Sequence, residues 1–130
     1  MCDSPLVLIA ERDQRVREFQ KYFLEKSGLR SEFVEDGEAA LACARSLQPA
    51  AVVAEILIPK IDGLALCRRL RADPATHHIP VIIFSMLAAS ARASEAGATA
   101  FLRKPLVESD FVSAVRSAIA ADSVMRLEQI

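Results

Sequence analysis

Long hydrophobic runs are missing from this sequence. The longest unbroken apolar stretch is Ala39 to Ala44, far short of the roughly 18 residues that a membrane-spanning helix needs. An excess of one charge is missing as well. Sixteen basic residues stand against seventeen acidic ones, for a net charge of −1, which removes the electrostatic footprint of a nucleic-acid or membrane-surface binder. Cysteine is scarce. Cys2, Cys43 and Cys67 are odd in number and lack ligand spacing, so free thiols in a reducing cytoplasm are expected rather than a disulfide framework. The opening Met1-Cys2-Asp3-Ser4-Pro5 has no basic n-region, and no signal peptide is expected. There is no linker, low-complexity tract or internal repeat. What is present is 130 residues, 52% hydrophobic and 25% charged, enough for one compact domain that folds without a metal or disulfide staple. A cytoplasmic domain with no nucleic acid and no membrane among its partners is the expectation.

Two kinds of segment alternate along the chain. Short runs rich in Val, Ile and Leu read as buried strands: Leu6 to Ala10, Ala51 to Ala54 and Val81 to Phe84. Ser31 to Val34 and Ala100 to Leu102 are weaker strand candidates. Between them, helical spacing marks faces at Val16, Phe19 and Phe23, at Ala40, Leu41 and Ala44, at Leu66, Cys67 and Leu70, and at Phe111, Val115, Ala118 and Ile119. Asp13 is placed to cap the first helix and Gly28 to stop it. Five β-then-α units in a row predict an α/β fold, a doubly wound parallel sheet with helices on both faces. The domain is expected over residues 1–121. Residues 122–130, with Val124, Met125, Leu127 and Ile130, would extend the last helix or begin a linker.

In such sheets ligands sit beyond the carboxyl ends of the strands. The groups found there are Glu11, Arg12 and Asp13, then Glu55, then Ser85, then Lys104. Glu55 stands out because it interrupts an otherwise apolar Ala51 to Ile58, where a charge needs a partner or water. Singly, each is as readily a solvated strand end; together, each closing a different strand, they point to a shared site. His77-His78 reads as loop polarity, since adjacent side chains seldom face one metal. No Gly-rich turn follows the first strand, which weakens any reading as a flavin or nucleotide binder.

The string Glu55-Ile56-Leu57-Ile58-Pro59-Lys60-Ile61-Asp62-Gly63 resembles the aspartate-to-glycine signature of response-regulator receiver domains. Ile79-Pro80-Val81-Ile82-Ile83-Phe84-Ser85 resembles their fourth strand with its switch hydroxyl. Gly97 to Pro105 resembles their fifth strand, with Phe101 as the aromatic switch residue and Lys104 before the proline. The match runs from about Leu6 to Ile119. It implies the flavodoxin-like fold with strand order 2-1-3-4-5, and two-component signalling in which a histidine kinase donates phosphate to an aspartate beside Mg²⁺. It also implies partner binding or dimerisation through the fourth helix, fifth strand and fifth helix.

The departures from that pattern carry the functional expectation. Glu55 stands at the phosphoacceptor position, and Glu11-Arg12 replaces a pair of acids. The stretch from Ser85 to Gly97 is a few residues shorter than is usual. Counting Glu11, Glu55, Arg12 and Lys104 together gives a neutral site, with Arg12 bridging Glu11 and Glu55 in the metal's place and Asp13 capping the helix. Mg²⁺ is then expected to be absent or weakly bound, with no other cofactor. The carboxylate of Glu55 ends one methylene beyond an aspartate's, and could reach Lys104 or Ser85. The expected function is a non-enzymatic, receiver-like signalling module, not phosphorylated, that acts by binding a protein partner such as a signalling protein or histidine kinase. The alternatives are a receiver that uses Glu55 unconventionally as phosphoacceptor and, less favoured, a small flavodoxin-like cofactor binder. The oligomeric state is left open.

Overall fold

The computed structural model describes residues 4–128. Strands and helices alternate strictly: β1 (Leu6–Ala10), α1 (Gln14–Lys26), β2 (Arg30–Val34), α2 (Gly37–Leu47), β3 (Ala51–Ala54), α3 (Gly63–Ala72), β4 (Val81–Ser85), α4 (Ser90–Glu95), β5 (Ala100–Arg103) and α5 (Glu108–Glu128). The five strands are parallel, in the order β2-β1-β3-β4-β5. This is the sheet and the strand order expected. Cys2 and the side chains of Val124, Met125, Leu127 and Ile130 fall outside the described residues. Helix α5 continues unbroken past Asp122 to Glu128. No helix among the described residues is long and apolar enough to cross a membrane.

The continuous apolar runs of the strands follow from burial on both faces. Leu8, Ala10, Val52, Ala54, Val81 and Ile83 meet Ala40, Leu41 and Ala44 of α2, Leu66, Cys67 and Leu70 of α3, and Ala93 of α4. The alternate residues Val7, Ile9, Val53, Ile82 and Phe84 meet Leu24 of α1 and Phe111, Val115 and Ala118 of α5. Side chains alternate across a strand, so each strand feeds both layers, and each fully buried Val, Leu, Ile or Phe contributes about 1.5–3 kcal/mol. Local signals set the element ends. Asp13 accepts the N–H groups of Arg15 and Val16 at 2.9 and 3.3 Å, and Asp36 and Asp62 cap α2 and α3 in the same way. Gly28 ends α1 at φ +80°, where an L side chain is strained.

Arg71, near the end of α3, ties distant segments together. Its guanidinium donates to the carbonyls of Gly97 at 2.8 Å, His77 at 3.0 Å and Ile79 at 2.6 Å, and to Thr99 Oγ1 at 3.2 Å. The entry to β4 and the turn between α4 and β5 are thereby fixed to one side chain. Burial pushes the Cys67 thiol up in pKa, as fits a cysteine that serves packing.

One helical face differs from expectation. Phe19, placed on the inward side of α1 with Val16 and Phe23, is 57% exposed; Gln20 and Leu24 are the buried residues. The inward stripe runs Val16, Gln20, Phe23 and Leu24, at i, i+4, i+7 and i+8. A polar residue at its centre hides it from any search for hydrophobic periodicity. Gln20 is fully buried, and neither atom of its amide has a hydrogen-bond partner among the described residues. Leaving such a group unsatisfied costs about 1–3 kcal/mol. Gln20→Met, which keeps the volume, is expected to raise stability by about that amount, read as a higher urea midpoint at unchanged m-value; a lowered midpoint would count against it.

Candidate functional site

Parallel strands bring all their carboxyl ends to one edge, and there the backbone ladder runs a little beyond the strands themselves. Glu11 N–H donates to the Val34 carbonyl at 3.2 Å, Glu55 N–H to Ala10 at 3.0 Å, and Lys104 N–H to Ser85 at 2.9 Å. These bonds fix the backbone from which each polar side chain departs. The result is a buried polar cluster: Glu11 is 2% exposed, Glu55 7% and Ser85 0%.

Lys104 is the centre of the cluster. Its Nζ lies 3.0 Å from Glu55 Oε2 and 3.1 Å from Glu11 Oε1, and it donates to Glu11 Oε2 at 3.2 Å. Glu11 Oε1 is close to the ammonium but off any hydrogen-bonding line. The ammonium also stands 5.4 Å from the centre of the Phe84 ring, within cation–π range. Burial disfavours the charged lysine, but the hydrogen bonds and charges of Glu55 and Glu11 outweigh it and hold its pKa above the usual lysine range.

Glu55 uses both carboxylate oxygens. Oε2 faces Lys104. Oε1 accepts the N–H groups of Ile56 at 2.7 Å and Leu57 at 3.3 Å, and the hydroxyl of Ser85. The Ser85 oxygen accepts in turn from Leu87 N–H at 3.3 Å. Gly63 closes the turn behind Glu55: a Cβ there would come within 2.4 Å of the Glu55 carbonyl oxygen and 2.9 Å of Ile56 Cα, so only glycine lets the start of α3 approach this closely.

Of the residues singled out from sequence, the fold brings together Glu11, Glu55, Ser85 and Lys104, and leaves three outside. Asp13 is exposed and capping α1, as expected, while its N–H donates to Glu11 Oε2 at 3.1 Å. Phe101, on β5, is half-buried against the core layer of α2, α3 and α4. Arg12 is the correction. Its side chain is exposed, and the cation that joins Glu11 to Glu55 is Lys104. Successive residues of extended backbone face opposite ways, so with Glu11 turned into the site its neighbour turns out. The buried groups are therefore two carboxylates and one ammonium, one net negative charge rather than none. Sequence reading also missed the Phe84 ring and the N–H groups of Ile56, Leu57 and Leu87. Ring and amides are generic in sequence and acquire roles only through position.

The Mg²⁺ that the resemblance implies does not fit this donor set. Mg²⁺ takes oxygens in near-octahedral geometry at about 2.0–2.1 Å. Two carboxylates are on offer here, both already engaged by an ammonium at 3.0–3.2 Å. No group of three or more His, Cys, Asp or Glu side chains suited to a metal ion is found among the described residues.

Removing Lys104 leaves two buried carboxylates without a counter-charge. Breaking a buried pair from one side costs about 3–5 kcal/mol, and Lys104→Met is expected to lose that much stability in chemical denaturation at pH 7. Because the folded pKa of Lys104 is raised, its contribution is fully present below the unfolded lysine value of about 10.4 and is lost as pH rises through the folded value. The difference between wild type and Lys104→Met should therefore narrow only in strong alkali. A loss under about 1 kcal/mol would mark the pair as solvated.

Comparison with known proteins agrees with this architecture. Residues 7–116 match the response regulator receiver domain. The chain is 30% identical over 116 residues to the DNA-binding dual master transcriptional regulator RpaA of Synechocystis, covering 87% of this chain and 48% of that protein. It is 33% identical over 122 residues to the transcriptional regulatory protein CseB of Streptomyces coelicolor, covering 92% and 51%. The chain thus spans about half the length of these curated relatives. The signal receiver domain of a signal transduction histidine kinase from Syntrophus aciditrophicus superposes with a TM-score of 0.84 at 30% identity, over 91% of this chain and 92% of that one. With the sheet order, the Lys104-centred edge and these matches in agreement, the chain belongs to the receiver domains of two-component signalling.

Proposed function

We propose that this receiver is not phosphorylated and acts by binding a protein partner, a signalling protein or a histidine kinase. The observation that carries the reading is the state of Glu55. One oxygen of its carboxylate is paired with Lys104, and the other is saturated by two backbone N–H groups and the Ser85 hydroxyl. A nucleophile needs a lone pair aimed at the incoming phosphorus. Displacing those bonds, from a group one methylene longer than the aspartate the family presents, works against attack; a misplacement of about 1 Å can cost on the order of a hundredfold. Without a divalent cation, the charge on the transferring phosphoryl group also lacks its main stabiliser. The relatives named above are called regulators, and RpaA DNA-binding; for this chain the function proposed is protein binding.

Two measurements test this. Millimolar MgCl₂ is expected to leave the melting temperature where a control of matched ionic strength leaves it, because binding to the native state alone would add RT ln(1 + [L]/Kd). A saturable Mg²⁺-specific rise would contradict the metal-free reading. Intact mass after treatment with a small phosphodonor and Mg²⁺ is expected to show no added phosphoryl on the wild-type chain, on Glu55→Asp or on Arg12→Asp. Because residue 12 turns out of the site, joining Arg12→Asp to Glu55→Asp is expected to add no modification beyond the single changes. Robust modification of the wild-type chain at Glu55 would overturn the proposal.

A further inference from the structure

The residues after β4 have few local devices to hold them. Helix α4 is six residues long, its N-cap position is Ala89, and no side chain caps it. A helix this short cannot repay its own nucleation, so its placement must come from tertiary contacts. Ala89 and Ala93 dock it against the core. The polar tether lies upstream. Leu87 N–H donates to Ser85 Oγ, whose hydroxyl donates to Glu55 Oε1, which the Ile56 and Leu57 N–H groups anchor to the β3–α3 loop.

We propose that Glu55 is a positioning residue that holds the β4–α4 loop in one conformation, through Ser85, without any covalent modification. This extends the reading of Glu55 as an unmodified carboxylate and gives its extra methylene a purpose. Glu55 reaches the hydroxyl on the neighbouring strand. An aspartate at the same position would withdraw the acceptor by about one C–C bond, 1.5 Å, beyond hydrogen-bond reach of Ser85. The surface that begins at Met86, which is 60% exposed, and continues along α4 is then presented permanently, and a partner that reads it needs no phosphate signal.

Amide hydrogen exchange of the 130-residue chain, in the absence of any phosphodonor, tests the tether. Glu55→Asp and Ser85→Ala are each expected to lower the protection of the Leu87 amide by about tenfold or more, the loss of one charge-assisted bond in the chain, while the amides of Val7 to Ala10 keep theirs. Lys104→Met, which removes the ion pair and leaves the Ser85 bond, is expected to keep the Leu87 amide protected relative to those β1 amides. Unchanged protection in Glu55→Asp would overturn the proposal, since Ser85→Ala removes the acceptor of the Leu87 amide itself and serves as the reference for a full loss. So would a loss in Lys104→Met as large as in Glu55→Asp, which would assign the loop to the ion pair. Should Glu55→Asp fail to fold, Glu55→Met, which keeps the length without the acceptor, takes its place: about a tenfold loss at Leu87 is expected, and unchanged protection would overturn the proposal. Phosphorylation of Glu55 by a phosphodonor would overturn the function proposed above while leaving this exchange result as it stands, so the two ideas fail separately.

Discussion

The ammonium of Lys104 lies between two buried carboxylates, and the carboxyl edge of the sheet is built around that arrangement. Glu11 and Glu55 leave neighbouring strands almost free of solvent contact. Two such charges side by side are costly to bury without a cation or a dense set of donors. Lys104 supplies the cation from β5, two strands beyond β3. The Asp13, Ile56 and Leu57 N–H groups and the Ser85 hydroxyl supply the donors. The parallel sheet makes this convergence possible, because only parallel strands end at the same edge.

Given that lysine, the length of residue 55 sets which groups its carboxylate meets. Both oxygens of the Glu55 carboxylate are engaged, one by Lys104 and the other by the β3–α3 loop and Ser85. The oxygen that accepts from Ser85 also accepts the Ile56 and Leu57 N–H groups, so one carboxylate joins the end of β3 to β4. Arg12 adds to this in a plainer way than its position suggests. It removes an acid from the edge without becoming part of the buried cluster.

Much of the fold was legible in the sequence because it rests on local patterns. Leu6 to Ala10 and Ala51 to Ala54 are apolar at every position, which only burial on both faces accommodates. Asp13 and Gly28 carry their capping roles in their own chemistry. The exception on α1 is instructive: Gln20 occupies the centre of the inward stripe, and a polar residue there carries no signal that it is buried.

The membership of the site was also readable, since Glu11, Glu55, Ser85 and Lys104 each close a strand and closing a strand is a local property. Their bonds to one another were not. Arg12 and Lys104 are both cations near two acids, and composition cannot choose between them. The choice depends on which way a side chain leaves an extended backbone and on a strand 93 residues away in sequence from Glu11. The sequence by itself determined the elements, their order and the residues at the carboxyl edge, because propensity, capping and periodicity act over a few residues. Which cation pairs with which acid, and which oxygen of Glu55 meets Ser85, were decided only when the sheet brought those strand ends together, because hydrogen bonds and ion pairs depend on distances that no local pattern encodes.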